Sequence, residues 1–304
     1  MFQNLREFDA CIDPLLRKRK FKKREPPMLE AIFLGIVQGL TEFLPISSSA
    51  HVRLFGEFLP SGSDPGATFT AIVQCGTELA VLIYFRLDLV RILKAVFLFV
   101  LRKPSNQGSE VQQNARLGGL ILLGSIPIFV LGFIGQGYIR ENFRSLWLIS
   151  FTLIAFGIAL GLTDHFGKRV KGLEDLSRRD GVIYGLAQSL ALLPGVSRSG
   201  ATIAMGRLLG YRRDAALRYS FLLAIPAVLG SGTYELLNSR NEPTNNFSGI
   251  ETASATLVAF AVGYIVIAWL MKFVQTRSFL PFVIYRVLLG VMIIVLLQTE
   301  WVSA

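Results

Sequence analysis

Apolar residues fall in long runs at about residues 67 to 85, 117 to 137, 146 to 163, 215 to 237, 253 to 273 and 280 to 298. As helices, runs of this length cross roughly 30 Å of hydrocarbon. Two further apolar regions, 28 to 60 and 182 to 210, are broken near the middle by a proline and a serine-rich turn, "LPISSS" in the first and "LPGVSRSG" in the second. Each half is too short to span, so each region reads as a re-entrant hairpin. The pattern predicts an all-α, polytopic integral membrane protein with six transmembrane helices and two re-entrant helical hairpins. Composition agrees: 52% of the 304 residues are hydrophobic and 17% charged, with a mean hydropathy of +0.51, well above that of an ordinary soluble domain.

The net charge of +10 raises nucleic acid as a partner. The basic residues, however, sit in the connections between spans and build no nucleic-acid-binding module, so they read as topology signals. Connections 86–116, 164–181 and 272–279 are rich in Lys and Arg and should be cytoplasmic, whereas 138–145 and 238–252 balance their arginines with glutamates and should face outward. The first hairpin then dips in from outside and the second from the cytoplasm. Cys11 and Cys75 fit no metal or disulfide framework.

The two broken regions also resemble each other. "GIVQGLTEFLPISSS" (35–49) aligns with "GLAQSLALLPGVSRS" (185–199) through Gly, Gln three later, Leu two after that, Leu-Pro and spaced serines. Three spans follow each. A hairpin plus three spans, used twice with an odd number of crossings, turns the second copy upside down, which gives an inverted-topology repeat. Repeat one covers about 28–163 and repeat two about 182–298, within a single membrane-embedded domain, 28–304.

Irregular backbone at membrane depth is tolerated only where it is buried in protein or lines a wet cavity. The two turns should therefore meet near the midplane, each followed by a half-helix whose free N–H groups and positive dipole end make an anion site. Ser47, Ser48 and Ser49 add hydroxyls from one turn, and Ser197 and Ser199 from the other. Arg198 adds a guanidinium suited to phosphate oxygens. The implied ligand is a phosphate or diphosphate. Plainer roles stay open: serines after a proline are ordinary N-caps, Arg198 could serve a structural ion pair, and His51 could bond a carbonyl. Gln38 and Glu42 lie four apart on one helix face; Glu42 beside a phosphate reads as a metal ligand or an acid/base group. Glu78 and Asp88, near the ends of the first span, read as interfacial.

"GIVQGLTEFLPISSSAHV" and "LLPGVSRSGAT" resemble the bacterial undecaprenyl-diphosphate phosphatase family, the membrane enzymes linked to bacitracin resistance. The first is similar to that family's (E/Q)xxxE signature and the Ser/His turn after it, the second to its PGxSRSxxT signature, here Pro194, Gly195, Ser197, Arg198, Ser199 and Thr202. The resemblance runs from about residue 28 to 298. It implies hydrolysis of undecaprenyl diphosphate to undecaprenyl phosphate and inorganic phosphate, recycling the lipid carrier of cell-envelope synthesis. It places the protein in the bacterial plasma membrane with the site opening toward the periplasm, and leaves room for a homodimer.

Residue by residue, the resemblance puts Glu42 and Gln38 on the acidic signature, with a divalent cation, Mg or Ca, near them. Ser48 and His51 fall on the nucleophile and acid/base positions, and Arg198 on the phosphate-binding position. Ser47, Ser49, Ser197, Ser199, Thr202 and Gly195 fall around the substrate's phosphates. Ser48, His51 and water all remain candidates for the attacking group. Gln38 stands where many relatives have glutamate, which removes one anionic metal ligand. A transporter or flippase of a phosphorylated lipid or small anion could use the same inverted-repeat plan. Residues 1–27 carry eight basic residues and have no place in the family pattern; the expectation is that translation begins at Met28.

Overall fold

A computed structural model describes residues 28–59, 65–101, 109–142, 145–238 and 247–302. The 1–27 segment, expected to precede the translated chain, lies outside them. The described residues form α1 (Met28–Thr41), α2 (Ser48–Phe58), α3 (Ala67–Tyr84), α4 (Arg86–Val100), α5 (Ser109–Asn142), α6 (Leu146–Phe166), α7 (Arg178–Ser189), α8 (Arg198–Leu208), α9 (Arg213–Asn238), α10 (Gly249–Thr276) and α11 (Leu280–Gln298). Helices α5, α6, α9, α10 and α11 are long and apolar enough to cross a membrane. The first expected span, α3, is a shorter apolar helix, and it carries the polar residues Gln74 and Glu78 inside its length.

One difference from the sequence reading is α4. Residues 86–100 were expected within a basic connection but form a helix with Leu87, Val90, Leu93 and Phe97 exposed along it, and Ile92 and Ala95 buried. Its basic residues interrupt the apolar run without breaking helical periodicity, as in helices that lie at an interface.

Both broken regions are helix–turn–helix hairpins, α1–α2 and α7–α8, with turns where the prolines remove backbone donors and stop the helix. The turns match in detail. Ser47 and Ser197 both have positive φ, 73° and 67°, a conformation uncommon outside glycine. Each has its hydroxyl 3.1 Å from that of the serine two residues on, Ser49 and Ser199.

The hairpins enter from opposite ends. Each leads, within a few residues, into the helix after it, α3 or α9. A Cβ at Gly232 of α9 would meet the Cys75 sulfur of α3, while further along Phe85, the residue after α3, packs near Phe221. Helices α3 and α9 therefore run antiparallel, and so do the hairpins that feed them. The packing of the hairpins repeats too: a Cβ on Gly35 of α1 would come within 2.5 Å of the Ala255 carbonyl oxygen on α10, and one on Gly185 of α7 within 2.3 Å of the Gly124 carbonyl oxygen on α5. Only glycine permits these two crossings, and the two glycines occupy the same place in the aligned sequences.

Two buried arginines lock the assembly. Arg286 of α11 is fully buried and donates to the carbonyls of Pro45 (3.1 Å), Gly195 (2.9 Å), Val196 (2.9 Å) and Leu153 (3.2 Å). It thereby ties both turns to α6. Where α8 ends and α9 and α11 begin, Asp164 accepts from Arg207 Nε (3.0 Å), from Arg213 Nε (2.7 Å) and from the Phe279 N–H (3.1 Å). Lys168, Arg169 and Lys171 follow directly, in keeping with a cytoplasmic position.

Replacing Arg286 by leucine strips a donor from four buried carbonyls, each worth about 1 to 3 kcal/mol when left unmade. Arg286→Leu is expected to lose more than about 3 kcal/mol, read as a sharply lower melting temperature in detergent. An unchanged melting temperature would show that Arg286 does not lock the turns.

Candidate active site

The turns meet around one carboxylate. Glu42, just past the end of α1, is buried, and each of its oxygens has two donors. Oε1 accepts from Arg198 Nη2 and from Gln74 Nε2, both at 2.8 Å. Oε2 accepts from Gln38 Nε2 at 2.8 Å and from the Ser48 hydroxyl at 2.6 Å. Carboxylate and guanidinium thus come from opposite repeats, 156 residues apart in the chain. The four-residue spacing of Gln38 and Glu42 appears directly as a hydrogen bond. Gln74 lies on α3 and was not anticipated.

Ser47, Ser48, Ser49, Ser197, Arg198, Glu42, Gln74 and Thr70 form the polar end of a cavity of about 490 Å³. Ile128, Phe129 and Phe133 of α5 and Ala227 and Val228 of α9 form an apolar wall beside it. The cavity is amphiphilic: a phosphate at the serine end leaves an attached hydrocarbon against this wall, in addition to the surrounding lipid.

The two half-helix N-termini are not equivalent. At α8 the Ser197 hydroxyl accepts from the Gly200 N–H at 3.1 Å and so caps its own helix. At α2 Ser47 makes no such bond. The first-turn donors of α2 are therefore the ones left for an anion, and the helix dipole favours it there.

Several expected site residues are held away from the cavity. His51 is buried and bonded on both nitrogens: Nδ1 lies 2.7 Å from the Ser47 carbonyl oxygen, which can only accept, and Nε2 lies 2.7 Å from the Tyr285 hydroxyl, whose ring stacks on the imidazole. In a neutral imidazole Nδ1 then donates and Nε2 accepts. His51 thus takes the carbonyl-bonding role left open by the sequence, and with both ring nitrogens engaged it makes no hydrogen bond to the Ser48 hydroxyl among the described residues. Thr202 bonds the Arg198 carbonyl oxygen (2.8 Å) and Ser220; Ser199 donates to the Leu44 carbonyl oxygen at 3.2 Å. Both brace the turns without bordering the cavity. Gly195 has φ 88°, its carbonyl accepts from Arg286, and a Cβ there would strike Thr152, so it shapes the turn.

Glu78 departs most from expectation. It was read as interfacial, but it is completely buried inside α3, with Oε2 3.9 Å from Arg198 Nη2. Its burial follows from position: it lies four residues after Gln74, on the same helix face. Asp88, also read as interfacial, lies in the first turn of α4 and pairs with Arg218 at 2.6 Å.

Comparison with known proteins fits this geometry. The family model described as bacitracin resistance protein BacA matches residues 31–292. The chain belongs to the BacA family. Among relatives, "Undecaprenyl-diphosphatase" of Micrococcus luteus is 56% identical over 278 residues, covering 91% of this chain and 99% of the relative. The protein of the same name from Paenarthrobacter aurescens is 52% identical over 278 residues, with the same coverage. "Undecaprenyl-diphosphatase 2" of Agrobacterium fabrum is 53% identical over 276 residues, covering 91% of this chain and 98% of the relative. Membership and the apolar helices together make the protein a multi-pass protein of the bacterial inner membrane.

In this BacA-family site, no group of three or more His, Cys, Asp or Glu side chains forms a cation cage among the described residues. The Gln38 Oε1 oxygen is nevertheless buried without a partner beside Glu42. A neutral amide oxygen next to a carboxylate is a donor pair of the kind a hard divalent cation takes.

Glu42→Ala leaves Arg198, whose side chain is 12% exposed, without its main partner. Breaking one half of a buried pair costs about 3 to 5 kcal/mol. A melting-temperature drop of several degrees is expected; Arg198→Ala in the same background should recover part of it, and full additivity of the two losses would contradict the pairing.

Proposed function

We propose that the protein hydrolyses undecaprenyl diphosphate to undecaprenyl phosphate and inorganic phosphate, supplying the lipid carrier of envelope synthesis and so conferring resistance to bacitracin. The observation that carries this is the hydrogen bond from the Ser48 hydroxyl to Glu42 Oε2 at the polar end of an amphiphilic cavity. The names of the relatives point the same way. Carrying a lipid across the membrane would require an anion site but not a hydroxyl poised on a carboxylate.

The chemistry follows from the contacts. The terminal phosphate sits against the first-turn N–H groups of α2, with the Arg198 guanidinium on its oxygens. The Ser48 Oγ attacks the terminal phosphorus while Glu42 takes the hydroxyl proton. The bond from that phosphorus to the bridging oxygen breaks, and undecaprenyl phosphate departs with the bridging oxygen. The departing undecaprenyl phosphate takes the proton from Glu42, which restores the carboxylate. Water, deprotonated by Glu42, then attacks the phosphoserine, and Glu42 returns that proton to the Ser48 Oγ as inorganic phosphate is released. Phosphoryl transfer demands positioning and charge stabilisation above all, and both turns contribute.

A Mg or Ca ion would be held by Glu42, Gln38 Oε1 and the phosphate oxygens, and would supply neutralisation of the substrate's charge. His51 supports the reaction from below by fixing the Ser47 carbonyl and with it the strained start of α2. The site is taken to open toward the periplasm, since the Lys- and Arg-rich connections lie at the other end.

Phosphate release from undecaprenyl diphosphate in detergent tests the proposal. Ser48→Ala should lower kcat by roughly 10³-fold or more, the scale of losing an activated nucleophile, and EDTA should suppress the wild type. After acid quench, wild-type protein should yield a phosphorylated Ser48 peptide. Full activity in Ser48→Ala would remove Ser48 as nucleophile. A folded wild type that binds the lipid and releases no phosphate with any divalent ion would overturn the hydrolase reading.

A further inference from the structure

Glu78 is a buried polar group beside the site whose position no hydrogen bond accounts for. It is fully buried, and neither carboxylate oxygen has a hydrogen-bond partner among the described residues. Among them, its charged neighbour within ion-pair range is the Arg198 guanidinium, at 3.9 Å. Burying a carboxyl without hydrogen bonds is costly, and an apolar residue of similar size would normally serve α3 better. Glu78 does not border the cavity, so it does not meet substrate.

The charge arrangement shows what it does instead. The same nitrogen, Arg198 Nη2, faces Glu42 at 2.8 Å and Glu78 at 3.9 Å, so one guanidinium stands between two carboxylates. In the reaction proposed above, the same guanidinium must also reach the terminal phosphate from the cavity side. Arg198 Nη1 has only a long bond, 3.4 Å, to the Ala224 carbonyl oxygen as a second anchor.

We propose that Glu78 is a positioning residue for Arg198: it anchors the guanidinium from the side away from the cavity and so keeps it aimed at the terminal phosphate. This rests on the hydrolase reading and adds to it a residue from α3, outside both signature motifs. Glu42 makes the closer contact with Arg198, and Glu78 adds a second, more distant one.

The test uses the full-length protein in detergent with Glu78→Gln, Glu78→Leu and Glu78→Asp, reading kcat, KM and melting temperature. Small displacements of a catalytic group cost about 10²-fold at most on the scale of an ångström, so Glu78→Gln and Glu78→Leu should lower kcat by about 10- to 100-fold. KM should stay within about threefold, because the α2 N–H groups still bind the phosphate. The melting temperature of Glu78→Leu should hold or rise, since an unsatisfied buried carboxyl has been removed, and that of Glu78→Gln should change little, since a buried polar group remains. Glu78→Asp should recover part of the kcat. A purely structural role predicts the opposite sign on stability, with activity and melting temperature falling together, and that result overturns the proposal. So does wild-type kcat in both Glu78→Gln and Glu78→Leu. Failure of the hydrolase reading shows separately, as absence of phosphate release by the wild type itself.

Discussion

The site exists because one buried guanidinium holds two irregular turns together. Arg286 bonds carbonyls from both of them, Pro45 on one side and Gly195 and Val196 on the other, and a fourth, Leu153, on α6. A broken helix exposes carbonyls that lipid cannot satisfy, and two broken helices facing each other double the problem. A rigid fork of five donors is the side chain best shaped to bond several carbonyls at once. With the turns fixed, Glu42 from the first repeat and Arg198 from the second come within 2.8 Å.

The repeats share a framework and divide the chemistry. Gly35 and Gly185 make equivalent close crossings, and Ser47 and Ser197 adopt equivalent positive-φ starts. Yet Gln38 has a carboxylate four residues on, whereas its counterpart Gln188 has Leu192 there, and its buried amide has no partner. Ser197 caps its helix and Ser47 does not. In the proposed reaction the first repeat thus supplies the uncapped helix end, the hydroxyl and the proton acceptor, and the second supplies the cation.

Both hairpins, their turns and Glu42, Ser48 and Arg198 were legible in the sequence because each signal is local: a proline and serines interrupting an apolar run, a four-residue spacing, an arginine where arginine is expensive. The partners that give these residues meaning were not legible. Arg286 lies 241 residues from Pro45 and Tyr285 lies 234 from His51, and no spacing rule reaches across such a separation. His51 fell on an acid/base position by the resemblance, with a bond to a carbonyl as its plainer role, and only Tyr285 and the Ser47 carbonyl show where its ring nitrogens go. Gln74 and Glu78 did leave a trace, two polar residues four apart inside an apolar span, which is the mark of a helix face turned to a polar interior. Helix α4 was missed because basic residues were counted as connection, although its exposed leucines and valine keep helical spacing.

The most direct test of this account is a structure of the protein bound to a polyprenyl diphosphate whose bridging oxygen is replaced by a methylene group, which cannot be hydrolysed there. The account predicts the terminal phosphorus between the Ser48 hydroxyl and the Arg198 guanidinium, its oxygens on the first-turn N–H groups of α2, and the start of the hydrocarbon chain against Phe129 and Val228. Terminal phosphate bound away from Ser48, or seated against His51 with the Tyr285 bond broken, would contradict it.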